Sequence, residues 1–263
     1  MKVLIVGGVA GGMSAATRLR RLNEKAEIVV FDKGPYVSFA NCGLPYHVSG
    51  IIEDRESLLV QTPEALYNRF RIDVRPHSEV VAINTEEMTI TVEGTDGTYE
   101  ESYDKLILSL GAEPIIPPIK GYDEAENVFT LRNIPDLDAI MANLNTTQPK
   151  EAIVVGGGFI GLEMVENLVE RGLNVTLVEK APQILTPLDE EMAIFVENEL
   201  LKNNVKIIKG ESAVEFQNAG KKVILENGEV LTSDLTILSI GVKPATEIVG
   251  EAGIELGIRG GIL

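Results

Sequence analysis

Two stretches of the chain share one pattern of apolar and polar positions. Residues 2–12 read KVLIVGGVAGG and residues 151–161 read EAIVVGGGFIG. Each is a short apolar run, a glycine turn, and then a segment whose apolar residues recur at helical spacing. After the first turn these are Ala15, Leu19 and Leu22; after the second they are Leu162, Val165, Leu168 and Val169. Such spacing sets one apolar stripe on a helix, suited to packing on a sheet. A further apolar run follows each helix, at 28–31 and 175–178. Strand, helix, strand in that order predicts a parallel pair joined by a crossover. The first glycines, Gly7 and Gly156, lie 149 residues apart. That is a domain's length, so two domains are expected rather than a solenoid.

The stretches between are β-like. Residues 80–83, 89–92 and 105–110 read as strands, with a hairpin turn at Thr95, Asp96 and Gly97. Residues 222–225 and 235–240 repeat this flavour around a turn at Asn227 and Gly228. Prolines within 114–118 mark a first exit from domain one, and Lys243 with Pro244 a return.

The glycines carry the chemistry. Gly156, Gly158 and Gly161 form G-x-G-x-x-G between an expected strand and helix. The first permits a tight turn, the second lets a pyrophosphate approach the backbone, and the third lets helix and strand pack closely. Free N–H groups and the helix dipole then favour phosphate. Glu179 follows Gly156 by 23 residues, the spacing of a carboxylate that accepts ribose hydroxyls. Its charge repels a 2′-phosphate and favours NADH, while the neighbouring Lys180 leaves NADPH possible. The first turn, Gly7, Gly8, Val9, Ala10, Gly11 and Gly12, has valine at the middle position. Val9 is expected to hold a phosphate off slightly or to require a backbone shift. Asp32 supplies the acid, 25 residues after Gly7. A glycine turn alone can be structural; strand, helix and acid in register favour a nucleotide. Two such turns imply two cofactors exchanging a hydride, with a nicotinamide and a flavin as the usual pair.

The fold expected is α/β, with two Rossmann-like dinucleotide-binding domains, parallel sheets and β-rich crossovers. Residues 1–117 are expected to form the first part of one dinucleotide-binding domain, 118–243 a second one inserted in it, and 244–263 an incomplete return to the first. Gly260, Gly261, Ile262 and Leu263 read as the start of another strand, so the chain is expected to continue.

Composition narrows the partners. A formal net charge of −17 disfavours nucleic acid and anionic membrane surfaces. No apolar window approaches the ~20 residues of a membrane span, and the N-terminus lacks a signal-peptide pattern. A single cysteine, Cys42, fits a reducing, cytoplasmic setting. His47 and His77 have no partner cluster, so no metal is expected.

Residues 36–50, YVSFANCGLPYHVSG, surround that cysteine. With the tandem turns, S-F-A-N-C followed by L-P-Y resembles the single-cysteine branch of the FAD-dependent pyridine nucleotide-disulfide oxidoreductases. Within it, the resemblance is to coenzyme A disulfide reductases and NADH-dependent persulfide reductases. It spans essentially the whole chain: residues 104–114 (DKLILSLGAEP) and 237–244 (ILSIGVKP) are similar to family strand-turns beside the flavin and after the NAD domain.

The resemblance implies FAD on the first domain and NADH on the second. To the first turn and Asp32 it adds Lys33, Val80, Val81, Ser109, Gly111 and Arg132 as FAD contacts. To the second turn and Glu179 it adds Phe159, Ile160, Glu163, Lys180, Ile240 and Gly241. Phe159 reads equally as a flavin shield or as packing, and Glu163 as an acid near the nicotinamide or a solvated helix residue. Ser14, Arg18, Arg21, Ser38, Asn41 and Arg71 are implied contacts of coenzyme A. Ser14, Arg18 and Arg21 share one helix face, and without the resemblance these arginines would read as ordinary surface charge.

Cys42 is the implied redox thiol, with a buried packing residue as the alternative. With no second cysteine in the chain, the partner sulfur must come from substrate, giving a Cys42–S–S–CoA mixed disulfide. Electrons pass from NADH through FAD to that disulfide. The resemblance also implies a later FAD segment and a C-terminal dimerisation domain, both absent here, and a homodimer whose partner completes the coenzyme A site. Three rivals remain: an NADH oxidase or peroxidase cycling through cysteine sulfenic acid, a persulfide reductase with a sulfurtransferase domain, and a non-catalytic NADH-responsive flavoprotein.

Overall fold

The computed structural model describes residues 1–263. Seven helices run along the chain: α1 Ala10–Leu22, α2 Leu44–Ser49, α3 Pro63–Phe70, α4 Ile134–Thr147, α5 Phe159–Glu170, α6 Glu190–Lys202 and α7 Glu247–Glu251. The chain divides into two units. The first gathers Met1–Ala40, Glu56–Glu113 and Lys243–Leu263; the second gathers Asn41–Arg55 and Pro114–Val242. No helix is long and apolar enough to cross a membrane.

The first unit is built on a four-stranded parallel sheet, ordered Asp73–Arg75, Glu27–Phe31, Lys2–Val6, Lys105–Leu108. Lys2–Val6 is central and covered on both faces, which is why it reads as an unbroken apolar run. Its side chains alternate between two cores. Val3 and Ile5, with Ile28 and Val30, meet Met13 and Ala16 of α1 and Leu66 of α3. Leu4 and Val6, with Val29 and Phe31, meet Val80, Ile90 and Val92 of an antiparallel meander, and Val249 of α7. The meander comprises Glu79–Asn84, Thr89–Gly94 and Gly97–Ser102. Truncating a fully buried side chain here, such as Leu4→Ala, would cost about 2–5 kcal/mol. Charge ties the meander to the sheet. Arg75 donates to Glu101 at 2.7 Å and to Asp73 at 2.9 Å, and Lys2 also donates to Glu101. Burial pushes the Glu101 carboxyl up, but the Lys2 and Arg75 hydrogen bonds leave it below the usual range.

The second unit repeats the plan with a five-stranded parallel sheet, ordered Lys206–Lys209, Asn174–Glu179, Glu151–Val155, Leu235–Leu238, Val128–Phe129. Ile153, Val155, Val178 and Leu238 pack against Phe216, Val223, Leu225 and Leu231, contributed by or next to its own meander. Met164, Val165 and Leu168 of α5 are buried, and α5 packs on the strands Glu151–Val155 and Asn174–Glu179. α4 is stopped at its start by reciprocal bonds: Asn133 Oδ1 accepts the Asp136 N–H at 2.9 Å, and Asp136 Oδ2 accepts the Arg132 N–H at 2.8 Å. Burial raises the Asp136 carboxyl above its ordinary value, against those N–H bonds, which lower it.

The two-domain α/β plan expected from the pattern is the plan observed. Some details differ. Leu22 is exposed rather than sheet-facing, because it ends α1; the inward stripe is Met13, Ala16 and Leu19. The strands Gly97–Ser102, Lys206–Lys209 and Ala213–Gln217 carry too many polar residues to stand out as apolar runs. Contacts group Asn41–Arg55 with the second unit, whereas the sequence boundary at 117 kept it with the first. The reason is packing: α2 lies on α4 and α5.

Candidate functional site

In the first unit the glycine turn is shaped by its neighbours. Gly7 sits at φ +101°, and a Cβ there would overlap the Ser109 carbonyl oxygen. A Cβ on Gly12 would overlap the Gly7 carbonyl oxygen, so helix and strand approach as closely as two backbones can. Asp32 organises the loop. Its Oδ2 accepts the Gly8 N–H at 2.7 Å and its Oδ1 accepts the Gly34 N–H at 2.8 Å. Ser38, at φ +49°, donates its N–H to the Gly8 carbonyl at 2.8 Å.

The second unit reproduces this, contact for contact. Gly156 sits at φ +108° against the Ser239 carbonyl, and a Cβ on Gly161 would overlap the Gly156 carbonyl oxygen. Glu179 Oε2 accepts the Gly157 N–H at 2.6 Å and Oε1 accepts the Ala181 N–H at 2.7 Å. Leu185, at φ +46°, donates to the Gly157 carbonyl at 2.9 Å. Both acids are therefore hydrogen-bonded to their own loops, although each carboxylate oxygen keeps a lone pair for a ribose hydroxyl.

The helix starts at these turns are open. α1 and α5 have no side-chain cap, a feature they share with α2, α6 and α7, whereas α3 and α4 are capped by Thr62 and Asn133. Their first N–H groups are left for another acceptor. Gly158 is the position that best suits a nucleotide. Its φ is −82°, and no protein atom lies within 4 Å of a Cβ built there. Nothing in the chain requires glycine at that position; a pyrophosphate against the backbone would. At the matching position Val9 adopts φ −107° and ψ −117°, against ψ −173° at Gly158, so the backbone differs where the sequence led us to expect a shift.

The other expected cofactor residues fall around these turns. Lys33 is exposed and paired with Glu113 at 2.8 Å and Glu79 at 3.8 Å. The Val80 side chain is core, leaving only its backbone for a ligand, and Val81 falls at a bulge in the meander. Gly111 and Gly241 take positive φ just past the ends of the strands that pair with the central ones. Phe159 is 65% exposed at the start of α5, with Ile160 exposed beside it and Ile240 and Lys180 also open. Burial, then the neighbouring Glu166, raises the Glu163 carboxyl. Arg132 meets Asp136 through its backbone N–H at the start of α4.

Cys42 lies in a short 3-10 turn, Asn41–Gly43, and is exposed, as is Asn41. That exposure removes the reading of Cys42 as a packing residue. The α2 residues that follow, Leu44, Pro45, His47 and Val48, are buried and hold the turn in place. Cys42 and Asn41 belong to the second unit; Ser14, Arg18, Arg21, Ser38 and Arg71 belong to the first. Ser14, Arg18 and Arg21 are exposed on α1. Arg20, between them, is committed elsewhere: it donates to the carbonyls of Phe70 at 2.6 Å and Arg71 at 2.8 Å. Arg71 caps α3 at φ +51°, with its guanidinium 5.2 Å from the Tyr67 ring centre.

Sequence reasoning missed Gly157, Ile184, Leu185 and Ser239. A Cβ on Gly8 would lie 2.8 Å from Val37 Cγ1, and one on Gly157 would lie 2.9 Å from Ile184 Cγ2. The recurrence of S-x-G at Ser109 and Ser239 was the available signal.

Comparison with known proteins matches residues 1–263 to a family model described as pyridine nucleotide-disulphide oxidoreductase. A coenzyme A disulfide reductase of Staphylococcus aureus is 38% identical over 261 residues, covering 98% of this chain and 58% of that protein. The structure of reduced CoADR-RHD from Bacillus anthracis superposes with a TM-score of 0.97 at 50% identity, over 98% of this chain and 47% of that one. A NAD-dependent persulfide reductase from A. fulgidus superposes at 0.95 with 32% identity, over 99% and 49%. The chain thus spans a little over half the length of the curated relatives it matches.

Proposed function

This chain belongs to the pyridine nucleotide-disulphide oxidoreductase family, and we propose that it forms the nucleotide-binding part of an NADH-dependent flavoprotein that reduces coenzyme A disulfide or persulfide. The observation that carries this reading is the pairing of two dinucleotide turns with one exposed sulfur, Cys42. With no second cysteine among these 263 residues to pair with it, this reading takes the second sulfur from the substrate.

The residues fit both cofactors. The open starts of α1 and α5 would receive the pyrophosphates, and Asp32 and Glu179 the ribose hydroxyls. Bound FAD would supply the two electrons for sulfur, drawn from the nicotinamide. The chain's own part is thiol chemistry. The Cys42 thiolate attacks one sulfur of the disulfide, forming Cys42–S–S–CoA and releasing one coenzyme A thiolate. Two electrons then cleave the mixed disulfide, releasing the second coenzyme A and restoring the Cys42 thiolate. Arg18 and Arg21 offer charge for the phosphates of coenzyme A, which an otherwise acidic protein must supply locally. Glu179 favours NADH over NADPH by repelling a 2′-phosphate.

The test uses the full-length protein. A dithiothreitol-releasable coenzyme A adduct should appear on the Cys42 peptide by mass spectrometry. Cys42→Ser should keep NADH-driven flavin bleaching and lose coenzyme A disulfide turnover. Normal turnover in the serine variant would falsify the mechanism. Sulfenic acid on Cys42 with peroxide as the better substrate would instead favour the oxidase–peroxidase reading.

A further inference from the structure

The segment bearing Cys42 is anchored at the end far from the thiol. α2 stops at Ser49, and Gly50 at φ +91° turns the chain away. The last carbonyls of a helix lack partners within it. One of these, on Val48, accepts Nη1 of Arg171 at 2.8 Å. The same guanidinium donates through Nη2 to Asn145 Oδ1, 3.2 Å away in the last turn of α4, and Arg171 is itself the C-cap of α5. One cation thus meets the C-terminal ends of three helices, where their partial negative charges favour it. Arg55 adds a second anchor, a two-pronged pair with Asp138 on α4: Nε to Oδ1 at 2.6 Å and Nη2 to Oδ2 at 2.7 Å. Between the anchors, buried His47 shares a 2.7 Å hydrogen bond between Nδ1 and the Ile52 carbonyl, folding the return stretch onto α2.

We propose that Arg171 is a positioning residue for Cys42. It does not touch the thiol. It fixes the C-terminal end of α2, and the helix carries that constraint to the turn that presents the sulfur at its other end. α2 rises only about 9 Å over its length, so a slip at Val48 is transmitted to Cys42 almost undamped. The inference rests on the reading of Cys42 as the redox thiol, and it assigns to the C-terminal end of α5 a role in sulfur chemistry distinct from nucleotide binding at its N-terminal end.

The test compares Arg171→Ala and Arg171→Lys in the full-length, FAD-loaded protein. Lysine keeps the charge but not the fork that serves two acceptors. Three quantities are read: coenzyme A disulfide turnover, single-turnover flavin bleaching by NADH, and the pH profile of Cys42 alkylation by iodoacetamide. In Arg171→Ala, kcat should fall about 10- to 100-fold, while flavin bleaching stays within about twofold. The alkylation profile should be displaced, and Arg171→Lys should lie between alanine and wild type. Wild-type turnover and alkylation in both variants would overturn the proposal. An equal loss of flavin bleaching would overturn it too, by showing general damage to the unit. Alkylation needs no disulfide substrate, so it separates this proposal from the coenzyme A reading. Inactivity of the wild type on coenzyme A disulfide would sink that reading and leave the alkylation result standing.

Discussion

The two nucleotide turns are near copies in their scaffolding and differ where a ligand would touch them. Asp32 and Glu179 grip the N–H of Gly8 and Gly157, Ser38 and Leu185 grip their carbonyls, and Val37 and Ile184 fill the space a Cβ there would need. The divergence begins one residue later. The first unit places Val9, Ala10 and Gly11 where the second places Gly158, Phe159 and Ile160. One helix start is stripped nearly to backbone after a bulky cap; the other has a bare cap followed by two exposed apolar side chains. The turn's shape is set by contacts inside the protein, and the two units part company at the three residues that follow.

The sharpest way to break the comparison is at the third glycines. A Cβ at Gly12 or Gly161 must push its helix off its strand, with an expected cost of about 1–3 kcal/mol. Gly12→Ala should leave purified protein deficient in FAD by its absorbance. Gly161→Ala should keep the flavin and lose NADH affinity by titration. Loss of both ligands in either variant would mean that the units do not carry separate sites.

A smaller effect should follow from the acids. Glu179→Ala strands the Gly157 and Ala181 N–H groups, which are only partly buried, at about 1 kcal/mol. It also removes the charge that repels a 2′-phosphate. The kcat/KM ratio of NADH to NADPH should fall by about tenfold or more. Asp32→Ala should leave that ratio unmoved and lower flavin content instead. An unchanged ratio in Glu179→Ala would reduce the glutamate to a loop brace.

The smallest effect separates the units by pH. Glu101 in the first unit is lowered, so the folded state binds fewer protons there, and its contribution is lost as pH falls through the folded value. Asp136 in the second unit is raised, so the folded state binds more protons, and its contribution fades as pH rises through the carboxylate range. Chemical denaturation across the acid range should show Glu101→Gln flattening a positive slope of stability with pH and Asp136→Asn flattening a negative one. Matching signs in the two variants would contradict these assignments.

Much of this was legible in the sequence, because a strand buried on both faces and a glycine turn both leave local signatures. Lys2–Val6 and Glu151–Val155 could be read without knowing what covers them. What escaped depended on distant partners. Nothing near Cys42 announces that its helix belongs with α4 and α5; the bonds that tie it there come from Arg171 and Asp138, far along the chain. Arg20 is indistinguishable in type from Arg18 and Arg21, and only the carbonyls of Phe70 and Arg71 single it out. Val80 reads as a ligand contact by resemblance, yet its side chain fills the core. Ser38 and Leu185 adopt left-handed backbone with no compositional hint, because neither is glycine, asparagine or aspartate.

The interleaving of the units has a consequence in time. Val249, which is fully buried against Leu4 and Phe31, emerges from the ribosome only after the whole stretch from Pro114 to Val242. At roughly 5–20 residues per second, the opening strands must wait on the order of ten seconds for the residue that closes their core. The second unit has all its segments in hand before that moment. Of the two units, the one begun first is therefore expected to close its core second, and to depend meanwhile on whatever shields an open apolar sheet in a growing chain.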